Sequence, residues 1–172
     1  MEQESAVRDF FIQPGYVCFS DGKSRLSVVV SSGVVVTLFD KATGKGGMAH
    51  YVLPYRNGAD AKPIYAAPAI VALVDMFKKS GSDLTQLEAH LYGGARNPES
   101  EFFLEGVAEN NVTVGKELLQ KIGIQLVSED TGGNRGRKIV FDVTNGDTIV
   151  AKVDRIRATD WYPSGSASVV NP

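Results

Sequence analysis

His50 lies three residues after a glycine pair in GGMAHYVLP (Gly46 to Pro54), and an imidazole is the side chain best suited to moving a proton near neutral pH. A general base needs a nucleophile within hydrogen-bond reach. Upstream, Ser31 and Ser32 interrupt a valine-rich run in SSGVVVTLFD (Ser31 to Asp40), and Cys18, the single cysteine, lies in GYVCFS. A serine hydroxyl in that role requires strong activation, and Ser32 or Ser31 with His50 is one arrangement the residues allow. Cys18 reads as a small buried hydrophobe of an early strand, and nothing in the spacing carries it to His50. Without a nucleophile, His50 reads as a structural histidine. His90 reads as a strand surface residue. Two histidines and a lone cysteine make no metal site, and no cofactor is expected.

A second polar motif is EDTGGNRGRK (Glu129 to Lys138). The backbone amides around Gly132 and Gly133 could cradle an anion, and Arg135, Arg137 and Lys138 superficially suggest a nucleic-acid patch. Glu129 and Asp130 just upstream, and a formal net charge of -2, argue against nucleic acid. The motif reads as a tight turn between two strands, with Asn134 and Arg135 held by hydrogen bonds near the site or facing a protein partner.

Elements that position these residues can be read along the chain. Asp9 to Ser20 reads as a first strand, bent near Pro14 and Gly15. Leu26 to Asp40 reads as a long strand buried on both faces, with a bulge or bend at Ser31-Ser32-Gly33. Gly47 to Leu53 forms a third strand. Ile64 to Lys79 reads as a helix with Pro68 in its first turn, and Gln86 to Tyr92 as a strand. Asn111 is the expected cap of a second helix, Val112 to Ile122, stopped by Gly123. Ile124 to Ser128, Lys138 to Val143 and Thr148 to Val153 complete the strands, the last two joined at Asn145-Gly146. The order suits an α/β or α+β layered domain with mixed sheets over residues 1–154, followed by a polar tail over 155–172.

Composition narrows the classes. With 43% apolar and 22% charged residues among 172, the chain is an ordinary globular domain with a real core. The longest apolar stretch, Val28 to Leu38, is too short and too interrupted to span a bilayer. MEQESAVRDFF lacks the apolar run of a signal peptide, so a cytoplasmic protein without membrane insertion is expected.

In this order and spacing, the three segments around Ser31, His50 and Gly132 resemble the CheD family of chemoreceptor glutamine deamidases. LEAHLYGGA (Leu87 to Ala95) and the Asn111 region resemble further family elements, and the likeness covers roughly Gly15 to Val153. The family's first segment reads close to LGSCVAVCLYD, whose cysteine is the nucleophile; here the run is VSSGVVVTLFD, with Gly33 in the cysteine's place. The family histidine corresponds to His50, its assisting threonine to Ser27, and its serine to Ser32. The resemblance implies a layered β/β/α sandwich with mixed sheets, similar to the catalytic domain of cytotoxic necrotizing factor toxins. It implies attack of a thiolate on a glutamine carboxamide, a thioester, and its hydrolysis. It also implies docking on the helical cytoplasmic domain of chemoreceptors and on CheC-type phosphatases. Glycine supplies neither attack nor thioester, so the resemblance implies a protein leaning towards inactivity that acts by binding. Loss of the cysteine side chain is expected to widen the floor of the cleft.

Overall fold

The computed structural model describes residues 6–161 and 168–169. Its elements are β1 (Arg8–Phe11), β2 (Tyr16–Ser20), β3 (Ser24–Val30), β4 (Val34–Asp40), β5 (Lys45–Tyr51), α1 (Ala66–Lys79), β6 (Leu87–Gly93) and α2 (Val107–Ile122). They continue as β7 (Gln125–Thr131), β8 (Gly136–Asp142), β9 (Thr148–Val153), α3 (Ala158–Trp161) and β10 (Ser168–Val169). Two five-stranded sheets result: an outer one ordered β10-β1-β3-β8-β9 and a central one ordered β2-β5-β4-β6-β7. Each is mixed, with β1 parallel to β3 and β10 in one and β6 parallel to β7 in the other.

Side-chain alternation sorts the core into two layers. On the central strand β4 every residue is buried, as its valine-rich run requires. Val34, Val36 and Leu38 face α1 and α2, together with Ile70, Leu73 and Phe77. Val35 and Phe39 face the outer sheet, where they meet Leu26, Val28, Val30, Ile139 and Phe141. The architecture is therefore α+β, a β/β/α sandwich: outer sheet, central sheet, helices. α1 begins two residues before Pro68, whose missing N–H costs nothing in a first turn.

Three expectations are corrected. The single strand expected over Asp9–Ser20 is two strands in different sheets, because Gln13-Pro14-Gly15, with Gly15 at φ 83°, carries the chain across the sandwich. The run Leu26–Asp40 is likewise two strands, β3 outer and β4 central, and Ser31-Ser32-Gly33 is the crossing between layers, not a bulge. Asn111 does not cap α2. The helix starts a full turn earlier behind Gly106, at φ 74°, and Asn111 lies inside it, fully buried. Of the tail expected over 155–172, Ala158–Trp161 form a helical turn, and Ser168–Val169 pair with Phe10 and Phe11. Residues 162–167 and 170–172 of that tail lie outside the described residues. Among the described residues no helix is long and apolar enough to cross a membrane.

The two sheets are also joined by charge. Arg137 of β8, only 2% exposed, donates to the Asp130 carboxylate of β7 at 2.9 Å and to the Arg135 carbonyl at 3.0 Å. Burial pushes the Asp130 carboxyl up, but the hydrogen bond and charge of Arg137, with Lys152 at 3.5 Å, more than offset this and hold it below its ordinary value. Removing the carboxylate strands a buried guanidinium, so Asp130→Ala is expected to destabilise the fold by about 3 kcal/mol in urea unfolding. Because the carboxyl is depressed in the folded state, its contribution is full above the ordinary carboxylate range. It is lost as pH falls through the folded value, below 3.8, and Asp130→Asn should flatten that acid limb.

Candidate functional site

The crossing loop Ser31–Gly33 is fastened through three successive carbonyls. Ser31 O accepts from Ala95 N at 2.8 Å and Gly33 O from Gly94 N at 2.7 Å. Ser32 O accepts from the Asn111 side-chain amide at 2.9 Å, and that amide donates equally to Val52 O at 2.9 Å. Asn111 thus ties the crossing to the strand that carries His50, while the Tyr51 hydroxyl donates to the Asn111 carbonyl at 2.7 Å. The family-like glycine pair has a steric reason here. A β-carbon at Gly93 would run into the Gly33 carbonyl oxygen, and one at Gly94 into Val112.

Positions 33 and 50 face each other. A β-carbon built on Gly33 would stand 3.3 Å from His50 Nε2, 3.1 Å from Val52 Cγ1 and 2.7 Å from Tyr51 O. The first distance puts a side chain at position 33 within reach of the imidazole. The last corrects the expectation of a widened floor: the Tyr51 carbonyl stands so close to the glycine that less room is left than a β-carbon needs. His50 is 2% exposed and its Nδ1 has no hydrogen-bond partner. Burial pushes its pKa down to about 4, against a weaker upward pull from the Ile12 backbone, so the ring is neutral at physiological pH.

The other candidates do not converge on that ring. Ser27 sits on β3 between Leu26 and Val28, which both face the central sheet, so alternation turns its hydroxyl to the opposite face. It reaches the site only through its backbone, its carbonyl accepting from Ile12 N at 2.8 Å. Ser31 and Ser32 are half-buried, and among the described residues neither hydroxyl is bonded to His50. Cys18 pairs with Met48, whereas Tyr16 is the residue opposite His50. Its thiol is buried, pushed up to about 11 by desolvation with Arg8 acting weakly the other way, and so stays protonated. His90 lies on β6, bonded through Nδ1 to Ser128 Oγ at 2.7 Å, in a separate place.

A family model described as CheD chemotactic sensory transduction matches residues 52–152, more than half of the chain. The chain belongs to the CheD family. It is 36% identical over 143 residues to the chemoreceptor glutamine deamidase CheD of Thermotoga maritima, covering 77% of this chain and 90% of that protein. The probable chemoreceptor glutamine deamidase of Pyrococcus horikoshii is 40% identical over 130 residues, 72% of this chain and 79% of its own. That of Methanococcus maripaludis is 32% identical over 143 residues, covering 82% and 93%. The family-model match begins two residues beyond His50, and so lies wholly downstream of the segment that carries Gly33.

In this CheD-family chain the glycine-rich turn is a further crossing between layers, from β7 to β8. Gly132 and Gly133, at φ 76° and 70°, adopt the left-handed conformation the turn requires. Gly132 N donates to Gly93 O at 2.9 Å and Arg96 N to Gly133 O at 2.8 Å, which joins the turn to the glycine pair beside Gly33. Arg135 pairs with Asp154 at 2.7 Å and donates to Lys152 O at 3.3 Å; Asn134 is exposed. Arg137 and Lys138 are likewise paired, with Asp130 and Asp160, so the turn presents no patch of unpaired cations. Three site features escaped sequence reasoning: the Ile12 backbone against His50, the Asn111 clamp, and the Asp130–Arg137 pair. Asn111 alone left a signal, an amide at a position matching a family element.

Two outcomes are expected. Gly33→Ala should lower stability by about 1–3 kcal/mol in denaturant unfolding, because its methyl group meets backbone that cannot give as a side chain would. His50 is depressed from 6.5 to about 4 in the folded protein, so the unfolded chain takes up a proton that the buried ring refuses. Its contribution to stability is then complete above pH 6.5 and lost as pH falls from 6.5 through about 4. Unfolding curves of His50→Gln across that window should be flatter than those of the parent.

Proposed function

We propose that this chain serves chemotaxis from the cytoplasm by binding chemoreceptor helices, a CheC-type phosphatase, or both, without deamidating a receptor. The observation that carries the reading is at Gly33. The position that faces the imidazole has no side chain, and the Tyr51 carbonyl stands 2.7 Å from where its β-carbon would be. A deamidase needs a nucleophile there, and losing an essential nucleophile from a hydrolase costs roughly a millionfold in turnover. The scaffold around the gap is well fastened by Ala95, Gly94 and Asn111, which favours a retained binding surface over general decay.

The family relatives are named chemoreceptor glutamine deamidases, and a receptor cytoplasmic fragment is therefore the partner to test first. The rival reading, a glutamine deamidase using Ser32 or Ser31 with His50, keeps a neutral base but has no hydroxyl bonded to it. Incubation with a receptor fragment, followed by mass spectrometry of its glutamine peptides, separates the two. Binding without conversion of glutamine to glutamate is expected, and Gly33→Cys is expected not to restore conversion. Time-dependent conversion that disappears in His50→Ala would sink the binding-only reading.

A further inference from the structure

The loop between β6 and α2 presents two large apolar side chains to solvent, Phe102 at 72% and Leu104 at 60% exposure. They are not loosely displayed. Asn97 accepts from Glu99 N through its side chain and from Ser100 N through its carbonyl, at 3.2 and 3.1 Å. Ser100 accepts from Phe102 N at 3.2 Å and from Phe103 N at 3.0 Å. Between the two exposed residues, Phe103 turns inward beneath the Arg96 guanidinium, 5.2 Å from the ring centre. Arg96 is held in turn by Glu105 at 3.2 Å and Glu109 at 3.7 Å. The backbone thus holds Phe103 half-buried under Arg96 and offers its neighbours, and such preorganisation lowers the cost of binding.

The surroundings select the partner's chemistry. Glu99, Glu101, Glu105 and Glu109 are all exposed around the apolar pair, and Arg96 is engaged by two of them. Arg96, stacked on Phe103 between the pair, also lines a groove of about 430 Å³ between α2 and the Gly132-Gly133 turn, together with Gly94, Val112 and Glu109. An acidic frame repels nucleic acid and anionic lipid, and complements an apolar segment flanked by lysine or arginine. We propose that Phe102, Leu104 and this groove form a docking surface for a basic amphipathic helix of a protein partner. A helix fits because its apolar residues, three and four apart, can straddle the knob and enter the groove together. The surface adjoins the buried Gly33–His50 site through Gly94, but the proposal does not depend on that site being silent.

The test uses the full chain and two labelled helical peptides with leucines at the same helical spacing, one flanked by lysines and one by glutamates. Fluorescence anisotropy at low salt should show the lysine peptide bound about tenfold or more tightly than the glutamate peptide. The double variant Phe102→Ser/Leu104→Ser should weaken the lysine peptide by roughly tenfold or more. Glu99→Lys/Glu101→Lys should abolish the preference between peptides with the melting temperature unchanged. Failure of the lysine peptide to bind, equal binding of both peptides, or an unchanged affinity in the serine variant would each overturn the proposal. So would sedimentation showing a dimer of this chain that Phe102→Ser dissolves, since the occupant would then be a second copy.

Discussion

The three carbonyl contacts on Ser31, Ser32 and Gly33 are the constraint on which the rest of this molecule depends. The chain changes sheets there, and a buried crossing has no ladder to satisfy its polar groups. Ala95, Asn111 and Gly94 supply the missing donors from the end of β6 and from the middle of α2. Outer sheet, central sheet and helical layer therefore meet at one short segment. The same fastening fixes where residue 33 points, and it points at His50. Structure and site are one feature.

That economy explains why a glycine at this place is tolerated so completely. Nothing that holds the crossing involves the side chain of residue 33; the bonds are all to its backbone and to that of its neighbours. The crossing is held without any side chain at residue 33, and the Tyr51 carbonyl stands 2.7 Å from where a β-carbon would be. His50 is left as a neutral ring without a bond at Nδ1, in the apolar layer between sheets. An uncharged imidazole is the form such surroundings permit.

Several surface features are bonded to this centre. The Gly132-Gly133 turn, the start of α2 and the loop carrying Phe102 and Leu104 are linked to the crossing through Gly93 to Arg96. A partner seated there would touch elements bonded directly to the segment around Gly33. The second inter-sheet link, Arg137 with Asp130, lies next to the same segment, since Arg137 pairs with Val30 and Asp130 with Tyr92. Hydrogen bonds and an ion pair thus hold the chain on both sides of the crossing.

By itself the amino-acid order determined the kinds of element and the chemical gap. Valines buried on both faces specified β4, Pro68 and Lys78-Lys79 bounded α1, and Asn145-Gly146 joined β8 to β9. The motifs around Gly33, His50 and Gly132 pointed to the CheD family. What only tertiary structure decided was partnership. Ser31–Gly33 looked like a bend in one strand because local pattern cannot tell a bulge from a change of sheet. Ser27 kept a hydroxyl at a family position, yet alternation on β3 turns it away. Asn111 resembled a cap because an amide before an apolar helical run usually is one, whereas its bonds reach across 79 positions to Ser32 and 59 to Val52. Propensity and period act over a few residues, while sheet choice and clamping depend on contacts between distant ones.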